Sequence, residues 1–194
     1  MTGLAFLPPT LTTERLILEP LSIAHSAGMF SMWRDPEVCR FSGPANDVEG
    51  RPIRLPAICA NDSDKIIEFF LQGLAEGRGF RWALISRAEG QFVGTAGFNS
   101  LGACSEYAYH LHPDFWGRGL AREASNAAIG WLWTRDGSVE VEAFIDTDNW
   151  RSVRLATDLG FGPSGQNIDG AARHVLAAPL GWSRPALDLS PPQA

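Results

Sequence analysis

The sequence predicts a mixed α+β domain. Segments with strand-like patterns and segments of helical period follow one another in the order β-α-α-β-β-β-loop-α-β-α-β, with room for one more strand at the end. Two strands, over 80–86 and 92–98, are separated by a short turn and form a predicted hairpin. Later strands are separated by helices, a connection that parallel strands require. A sheet with both kinds of connection should be mixed rather than purely parallel.

The boundaries of the elements come from residues that favour helix ends and turns. A helix over 22–34 begins at Ser22, whose hydroxyl can cap it, and Pro36 follows its end. Residues 39–61 show no clean period, and a loop of that length is usually functional or mobile. The other expected helices run from Asp62 or Ser63 to 77, over 120–133, and from Asn149 or Trp150 to 159; the other strands cover 16–20, 105–111, 139–145 and 173–177.

Length, charge and cysteine content limit the class of protein. The chain has 194 residues, which suits one domain, and its net charge of −6 argues against non-specific nucleic-acid binding. An acidic balance instead favours a cationic partner. No segment reaches the roughly 18 apolar residues of a membrane span, and no signal peptide is visible. Three widely spaced cysteines indicate neither a disulfide framework nor a zinc site, which favours a reducing, cytoplasmic compartment.

The most informative segment is the loop His112-Pro-Asp-Phe-Trp-Gly-Arg-Gly-Leu-Ala-Arg122 between a strand and a helix. At a helix N-terminus several backbone N–H groups lack partners and the helix dipole is positive. Gly117 and Gly119 let a ligand approach the backbone, and Arg118 and Arg122 can add charged hydrogen bonds. The combination suits a pyrophosphate. A strand–helix turn that merely needs glycine explains the same residues equally well, because neither the dinucleotide-binding pattern nor the P-loop pattern is complete.

Four blocks of sequence together resemble the GNAT N-acetyltransferase superfamily, and within it the branch of ribosomal-protein N-terminal acetyltransferases. Trp116-Gly-Arg-Gly-Leu-Ala121 is similar to the family's acetyl-CoA motif, Q/R-x-x-G-x-G/A, although Trp116 stands in place of the Gln or Arg. The other blocks are Thr13-Glu-Arg-Leu-Ile-Leu18, Trp33-Arg-Asp-Pro-Glu-Val38, and Asp148-Asn-Trp-Arg-Ser152 followed by Leu159-Gly-Phe161.

The resemblance covers about residues 12–178, which we interpret as one domain between an N-terminal extension, 1–11, and a Pro-rich C-terminal tail, 179–194. It implies a GNAT-like mixed sheet that splays open at its centre and is flanked by about four helices. Acetyl-CoA would be the co-substrate, with no metal. The implied cofactor-binding residues are the backbone of Tyr109, His110 and Leu111 along the pantetheine arm, Asn149 beside it, and Trp116, Gly117, Arg118, Gly119, Leu120, Ala121 and Arg122 around the pyrophosphate.

The family's reaction implies direct attack of a primary amine on the thioester, which needs a base and a proton donor. Glu106 stands where the branch usually has Glu and is our candidate base through a water, although a solvated strand carboxylate would look the same. His110 shares that strand face and is a second candidate, although a structural histidine is more common. The family's tyrosine position holds Ala156, and Ser152 could serve as proton donor through water.

The sequence leaves the acceptor open. A peptide N-terminus or protein amine is the first candidate, and a small amine such as an aminoglycoside, polyamine or amino-acid analogue is the second. A non-catalytic acyl-CoA-binding domain is the third, because Ala156 replaces the usual tyrosine. A homodimer is also left open. The loop over 39–61 would lie near the acceptor, where its carboxylates could attract a cation: Asp47, Glu49, Asp62 and Asp64. His110 and His112 have a spacing that could bind a metal, but nothing completes the site.

Overall fold

Eight strands form one mixed sheet in the computed structural model, which describes residues 7–135 and 140–179. The strands are β1 (Leu11–Thr12), β2 (Leu16–Pro20), β3 (Phe80–Ser86), β4 (Phe92–Ser100), β5 (Cys104–Leu111), β6 (Glu140–Asp146), β7 (Gly162–Ile168) and β8 (Ala171–Ala177). Their spatial order is β1-β2-β3-β4-β5-β6-β8-β7, and β5 and β6 form the parallel pair in an otherwise antiparallel sheet. The predicted mixed α+β class is therefore confirmed.

Five helices flank this sheet: α1 (Ser26–Trp33), α2 (Pro36–Cys39), α3 (Ala60–Ala75), α4 (Leu120–Arg135) and α5 (Trp150–Asp158). A 3₁₀ turn, Ile23–His25, precedes α1, so the α-helical part of the first predicted helix begins after Ser22 rather than directly at it. Of the five, α2 is a single turn capped by Asp35, whose carboxylate accepts a hydrogen bond from the backbone N–H of Glu37.

The predicted N-cap of the second long helix, Asp62 or Ser63, is wrong by three or four residues. Cys59 occupies the N-cap position, and α3 begins at Ala60. The carboxylate of Asp62 instead accepts a hydrogen bond from the backbone N–H of Ile58, and the hydroxyl of Ser63 donates to the carbonyl of Ala60. Both side chains therefore stabilise the first turn from inside the helix. Because Asp and Ser are also common N-cap residues, they led to the prediction of a later helix start.

The central feature of the sheet is the early loss of pairing between β5 and β6. Their ladder has three rows, of which the last joins Glu106 to Glu142. Beyond that row β5 continues to Leu111 beside β4, while β6 continues beside β8. The two halves of the sheet therefore separate into a V-shaped cleft, which confirms the splayed centre that the family resemblance implied.

Both faces of the sheet are covered. On one face α4 packs over an apolar cluster that includes Trp82, Phe98 and Leu132. On the other face α1 and α3 cover a second cluster, with Met32 and Ile67 among its buried members. Because β3 and β4 are buried on both sides, their sequences are apolar almost without alternation.

The chain ends are described in part. Leu11 pairs with Leu18, and the indole N–H of Trp82 donates to the carbonyl of Pro9 at 2.8 Å, so the described end of the expected N-terminal extension packs on the sheet. Residues 1–6 of that extension, residue 139 of a predicted strand and residues 180–194 of the expected tail lie outside the described residues. In the part of the chain that the structure describes, no helix is long and apolar enough to span a membrane.

Candidate active site

The loop before α4 is shaped by two glycines in the left-handed region. Gly117 has φ of +72° and Gly119 has φ of +76°, a conformation that residues with a Cβ rarely adopt. The helix begins directly after them, at Leu120. Among the described residues, no backbone hydrogen bond uses the amide N–H groups of residues 117–122. These amides form a cradle of unpaired donors at the positive end of α4, which is the arrangement that binds phosphate groups.

Side chains from distant parts of the chain hold this loop in place. The indole N–H of Trp116 donates to the carbonyl of Leu111 at 2.9 Å, which ties the loop to the end of β5. Arg15 donates to the carbonyl of Arg118 at 2.7 Å and forms an ion pair with Glu123. Although burial alone would raise the pKa of Glu123, hydrogen bonds from Thr13 and Arg15 lower it. The cradle is therefore braced before any ligand arrives.

The arginines around the cradle have separate partners. Arg118 is exposed and stacks on the Phe115 ring at 5.4 Å. Arg122, which the sequence assigned to phosphate binding, forms an ion pair with Asp158 on α5. Contact between Arg122 and a phosphate would therefore compete with that carboxylate. Arg151 was not among the predicted site residues. Its guanidinium lies 4.9 Å from the centre of the Trp116 ring and 5.1 Å from that of the Trp150 ring, and Trp150 is 64% exposed.

Tyr109, His110 and Leu111 on β5 were predicted to bind the cofactor arm through their backbone, but their backbone groups do not all point the same way. The N–H of His112 donates to the carbonyl of Val93 at 2.9 Å, and hydrogen-bonded pairs alternate along an antiparallel ladder. His110, paired with Thr95, therefore directs its backbone groups toward β4. Tyr109 and Leu111 direct theirs toward the cleft. These two residues, rather than His110, can pair with an extended ligand there.

A hydroxyl pair bridges the cleft. Ser152, in the first turn of α5, has its Oγ 3.0 Å from the hydroxyl oxygen of Tyr109 on β5. Asn149 caps the same helix, since its side-chain oxygen accepts a hydrogen bond from the N–H of Ser152 at 3.2 Å. Burial raises the pKa of Tyr109, and the hydrogen bond with Ser152 only partly offsets this shift. The Tyr109 hydroxyl therefore keeps its proton at neutral pH.

The carboxylate of Glu106 lies at the apex of the cleft. Glu106 is on the last row that joins β5 to β6, and one of its oxygens, Oε1, accepts a hydrogen bond from the side-chain nitrogen of Asn99 at 2.5 Å. No other described side chain bonds to this carboxylate. By strand alternation Glu106 shares a face with Ala108 and His110, opposite to Tyr109.

The ring of His110 is enclosed by the helical layer above it. It lies 4.6 Å from the Trp33 ring, and its Nε2 is 3.3 Å from the Ser42 hydroxyl. Burial, assisted by the positive charge of Arg81, lowers the pKa of His110 to about 3. A neutral imidazole with so low a pKa accepts a proton poorly at neutral pH. As a base His110 stays a prediction, and its surroundings favour Glu106 over it.

Most of the carboxylates predicted to attract a cation, in the loop between α2 and α3 and in the first turn of α3, have partners within that segment. Asp47 is only 5% exposed and accepts hydrogen bonds from the backbone of Glu49 and Arg51 and from the Arg51 side chain. Glu49 forms an ion pair with the same arginine, and Asp62 is bonded to Ile58. Asp47 is therefore not available to attract a cation as predicted, because its charge is already paired inside the loop.

No metal site is formed by the described residues, since no three of their His, Cys, Asp and Glu side chains are grouped as ligands. The two histidines with the spacing of a metal site have separate partners. His110 contacts Ser42, and the Nε2 of His112 lies 3.2 Å from the hydroxyl of Ser31.

Comparison with known proteins agrees with this geometry. Residues 15–162 match the family model described as "Acetyltransferase (GNAT) domain". Over 160 residues the chain is 28% identical to the uncharacterized N-acetyltransferase YoaA of Bacillus subtilis (strain 168), an alignment that covers 81% of this chain and 85% of that protein.

Solved structures share the fold. The ribosomal-protein-S5-alanine acetyltransferase from Vibrio fischeri superposes with a TM-score of 0.70 at 13% identity, over 91% of this chain and all of that one. A ribosomal L7/L12 α-N-protein acetyltransferase, RimL, in complex with coenzyme A gives a TM-score of 0.66 at 13% identity, over 87% and 97% of the two chains. Because the family model matches well over half of its residues, the chain belongs to the GNAT acetyltransferase family and is an acetyl-transferring enzyme.

Proposed function

We propose that the protein transfers the acetyl group of acetyl-CoA directly to a primary amine, in the first instance the α-amino group of a peptide or protein. The observation that carries the proposal is the end of β5–β6 pairing at Glu106, which puts a carboxylate at the apex of a cleft lined by backbone donors. The cofactor would enter from the α4 side, and the acceptor amine would approach from the side of α1 and α3.

The cofactor site is built mainly from backbone groups. The unpaired amides of residues 117–122 hold the pyrophosphate, and the cleft-facing backbone of Tyr109 and Leu111 pairs with the pantetheine arm. When bound, acetyl-CoA supplies the activated acetyl group as a thioester. A backbone N–H near Leu111 polarises the thioester carbonyl, where negative charge develops during attack.

Two side-chain groups on opposite faces of β5 move the protons. Glu106 takes a proton from the ammonium form of the acceptor, through a water. Tyr109, with Ser152 behind it, donates a proton to the leaving sulfur, because its raised pKa keeps the hydroxyl protonated. This assignment differs from the role predicted for Ser152, which was the proton donor itself through water; here Ser152 contacts the donor, Tyr109. No enzyme-bound acetyl group is needed, so the three free cysteines have no part in it.

The peptide acceptor is supported by the four sequence blocks similar to ribosomal-protein N-terminal acetyltransferases and by the net charge of −6, which favours a cationic acceptor. A cytoplasmic location fits the three unpaired cysteines and remains, like the homodimer, a prediction.

Acceptor specificity can be tested by release of free coenzyme A thiol with a panel of peptides, aminoglycosides, polyamines and amino acids. We expect peptides with free α-amino groups to raise thiol release above hydrolysis, and the same peptides with acetylated N-termini to give none. Faster turnover with a small amine would replace the peptide assignment, and no release with any amine would contradict the proposed reaction.

Substitution of Gly119 tests the phosphate cradle. Gly119→Glu adds a negative charge at the helix N-terminus and a side chain at φ of +76°, so we expect at least a hundredfold loss of coenzyme A affinity by calorimetry. Gly170→Glu is the matched control, since Gly170 has φ of +89° and lies in the turn between β7 and β8. Equal affinity in the Gly119→Glu and wild-type proteins would refute the pyrophosphate assignment.

Removal of the carboxylate tests the base. Glu106→Gln should lower kcat about 10²- to 10⁴-fold, the usual contribution of general base catalysis, with coenzyme A affinity unchanged. Glu142→Gln makes the same change at the register partner on β6, whose carboxylate is paired with Arg173, and should leave kcat within about twofold of wild type. A wild-type kcat in the Glu106→Gln variant would eliminate Glu106 as the base.

The two tyrosines allow a matched test of the proton donor. Tyr109→Phe should lower kcat about tenfold or more at unchanged KM, because the leaving sulfur loses its donor. Tyr107→Phe removes a hydroxyl that donates to Ser125 in the core and should affect stability rather than kcat. Burial raises the pKa of Tyr109 above the ordinary tyrosine value of about 10. At pH values below about 10 the hydroxyl therefore keeps its proton, and the wild-type rate should not fall through loss of this donor. Equal kcat values for the two Phe variants would argue against this donor.

A further inference from the structure

A buried cation lies on the same face of the sheet as Glu106. Arg81, on β3, is 3% exposed, and its guanidinium lies 4.8 Å from the ring centroid of Phe70 on α3. Nη1 donates to the carbonyl of Gly97 at 2.8 Å and also to the carbonyl of Ala108. The side chain therefore runs across β4 from β3 to β5.

The register of the sheet explains this path. Arg81 pairs with Gly97, and Gly97 pairs with Ala108, so the three residues form one row across the strands. Gly97 lets the backbones of β3 and β4 lie close together here, since a Cβ on Gly97 would lie 2.4 Å from the carbonyl oxygen of Phe80.

Arg81 has no carboxylate in direct contact. Burial lowers its pKa to about 10, and the negative charge of Glu106 opposes this shift, so Arg81 stays a cation at neutral pH. None of the ion pairs within 4.0 Å among the described residues includes it, and its Nε is buried without a hydrogen-bond partner. Its charge therefore acts on its surroundings through hydrogen bonds.

A β-bulge in β4 connects this cation to Glu106. Phe98 pairs with Tyr107 and Ser100 pairs with Glu106, so Asn99 is the extra residue on its strand. The side-chain oxygen of Asn99 accepts a hydrogen bond from Nη2 of Arg81, and its side-chain nitrogen donates to Oε1 of Glu106. Bulges commonly redirect side chains beside active sites.

Arg81 also fixes which way the Asn99 amide is oriented. A guanidinium offers only donors, so Asn99 must present its oxygen to Arg81 and its nitrogen to Glu106. The amide nitrogen can only donate, so it holds Oε1 of Glu106 in place. Oε2 has no described side-chain partner and stays free for the water or the amine.

We propose that Arg81 and Asn99 are positioning residues for Glu106: the buried cation orients the Asn99 amide, and the amide holds the carboxylate at the apex of the cleft. This inference rests on the proposed function, in which Glu106 is the base. It assigns a positioning role to an arginine that makes no ion pair among the described residues and to an asparagine in a bulge.

Asn99→Asp tests the relay with little change of shape. An aspartate still accepts from Arg81 and pairs with its charge, so the thermal midpoint should not fall. It cannot donate to Glu106 and repels the carboxylate, so kcat should fall about tenfold or more at unchanged KM for acetyl-CoA. Asn167→Asp is the matched control, because Asn167 is exposed on β7 and its side-chain oxygen also accepts one hydrogen bond, from the N–H of Gly170.

A double-mutant cycle shows whether Asn99 acts through Glu106. In the Glu106→Gln background, Asn99→Asp should change kcat by less than twofold, because the group that it positions is gone. An equal fall of kcat in both backgrounds, or wild-type kcat in the Asn99→Asp single variant, would overturn the inference.

A spectroscopic measurement separates the relay from the reaction. The side-chain amide signal of Asn99 in a ¹H–¹⁵N NMR spectrum, assigned by its loss in Asn99→Asp, should move with pH in wild type and not in Glu106→Gln. Glu142, the neighbouring carboxylate on β6, is still present in Glu106→Gln, so a signal that does not move in that variant also excludes Glu142 as the cause of the shift in wild type. A signal that does not move overturns the relay whether or not an acceptor is known, whereas a moving signal with full activity in Glu106→Gln overturns the base assignment instead.

Discussion

The site depends on one constraint: where the sheet divides, the backbone N–H and C=O groups on one edge of β5 have no strand to pair with. β5 has β4 on one side along most of its length, but β6 pairs with it for only three rows. Past Glu106 the cleft-facing N–H and C=O groups of β5 have no neighbouring strand, and the amides of residues 117–122 have no backbone acceptor among the described residues. These backbone groups without backbone partners give the fold a place for a long ligand with an amide-bearing arm and an anionic end.

Alternation along β5 separates the two groups proposed to transfer protons. Tyr109 lies on the face of α4 and α5, and Glu106 lies on the face of α1 and α3. The proposed donor to the leaving sulfur and the proposed base for the amine thus lie on opposite sides of one strand. Burial acts differently on each side, because it raises the pKa of Tyr109 but lowers the pKa of His110. The same low-polarity surroundings keep the tyrosine protonated and make the histidine a poor base.

Local sequence patterns were enough to predict most elements and the glycine-containing loop before α4. The strand at 105–111, the glycines before α4 and the helix itself are short-range features, and the structure has all three. The separation of the sheet at its centre was predicted from the family resemblance and not from any periodicity in the sequence. No strand was predicted where β7 lies, because its sequence, Gly162-Pro-Ser-Gly-Gln-Asn-Ile168, has no apolar alternation and it is held by pairing with β8.

What the sequence did not predict depends on distant residues. The bonds from Arg81 to Ala108 and from Tyr109 to Ser152 join residues 27 and 43 positions apart. The role of Asn99 requires a bulge, which a strand pattern does not reveal. An arginine in a buried strand with no nearby acid in sequence was a usable signal, because a buried charge needs partners and Arg81 had to find them across the sheet.

The tyrosine missing from α5 illustrates the same point at the level of chemistry. Ala156 is 5% exposed and belongs to the apolar cluster against which Tyr109 packs. A phenol at position 156 would need space that this cluster fills, whereas the ring of Tyr109 already brings a hydroxyl to the start of the helix. The proposed mechanism requires a protonated hydroxyl beside the leaving sulfur, not a tyrosine at a particular position. A small residue on α5 and a large one on β5 satisfy it together, so an alanine at the family's tyrosine position is compatible with catalysis.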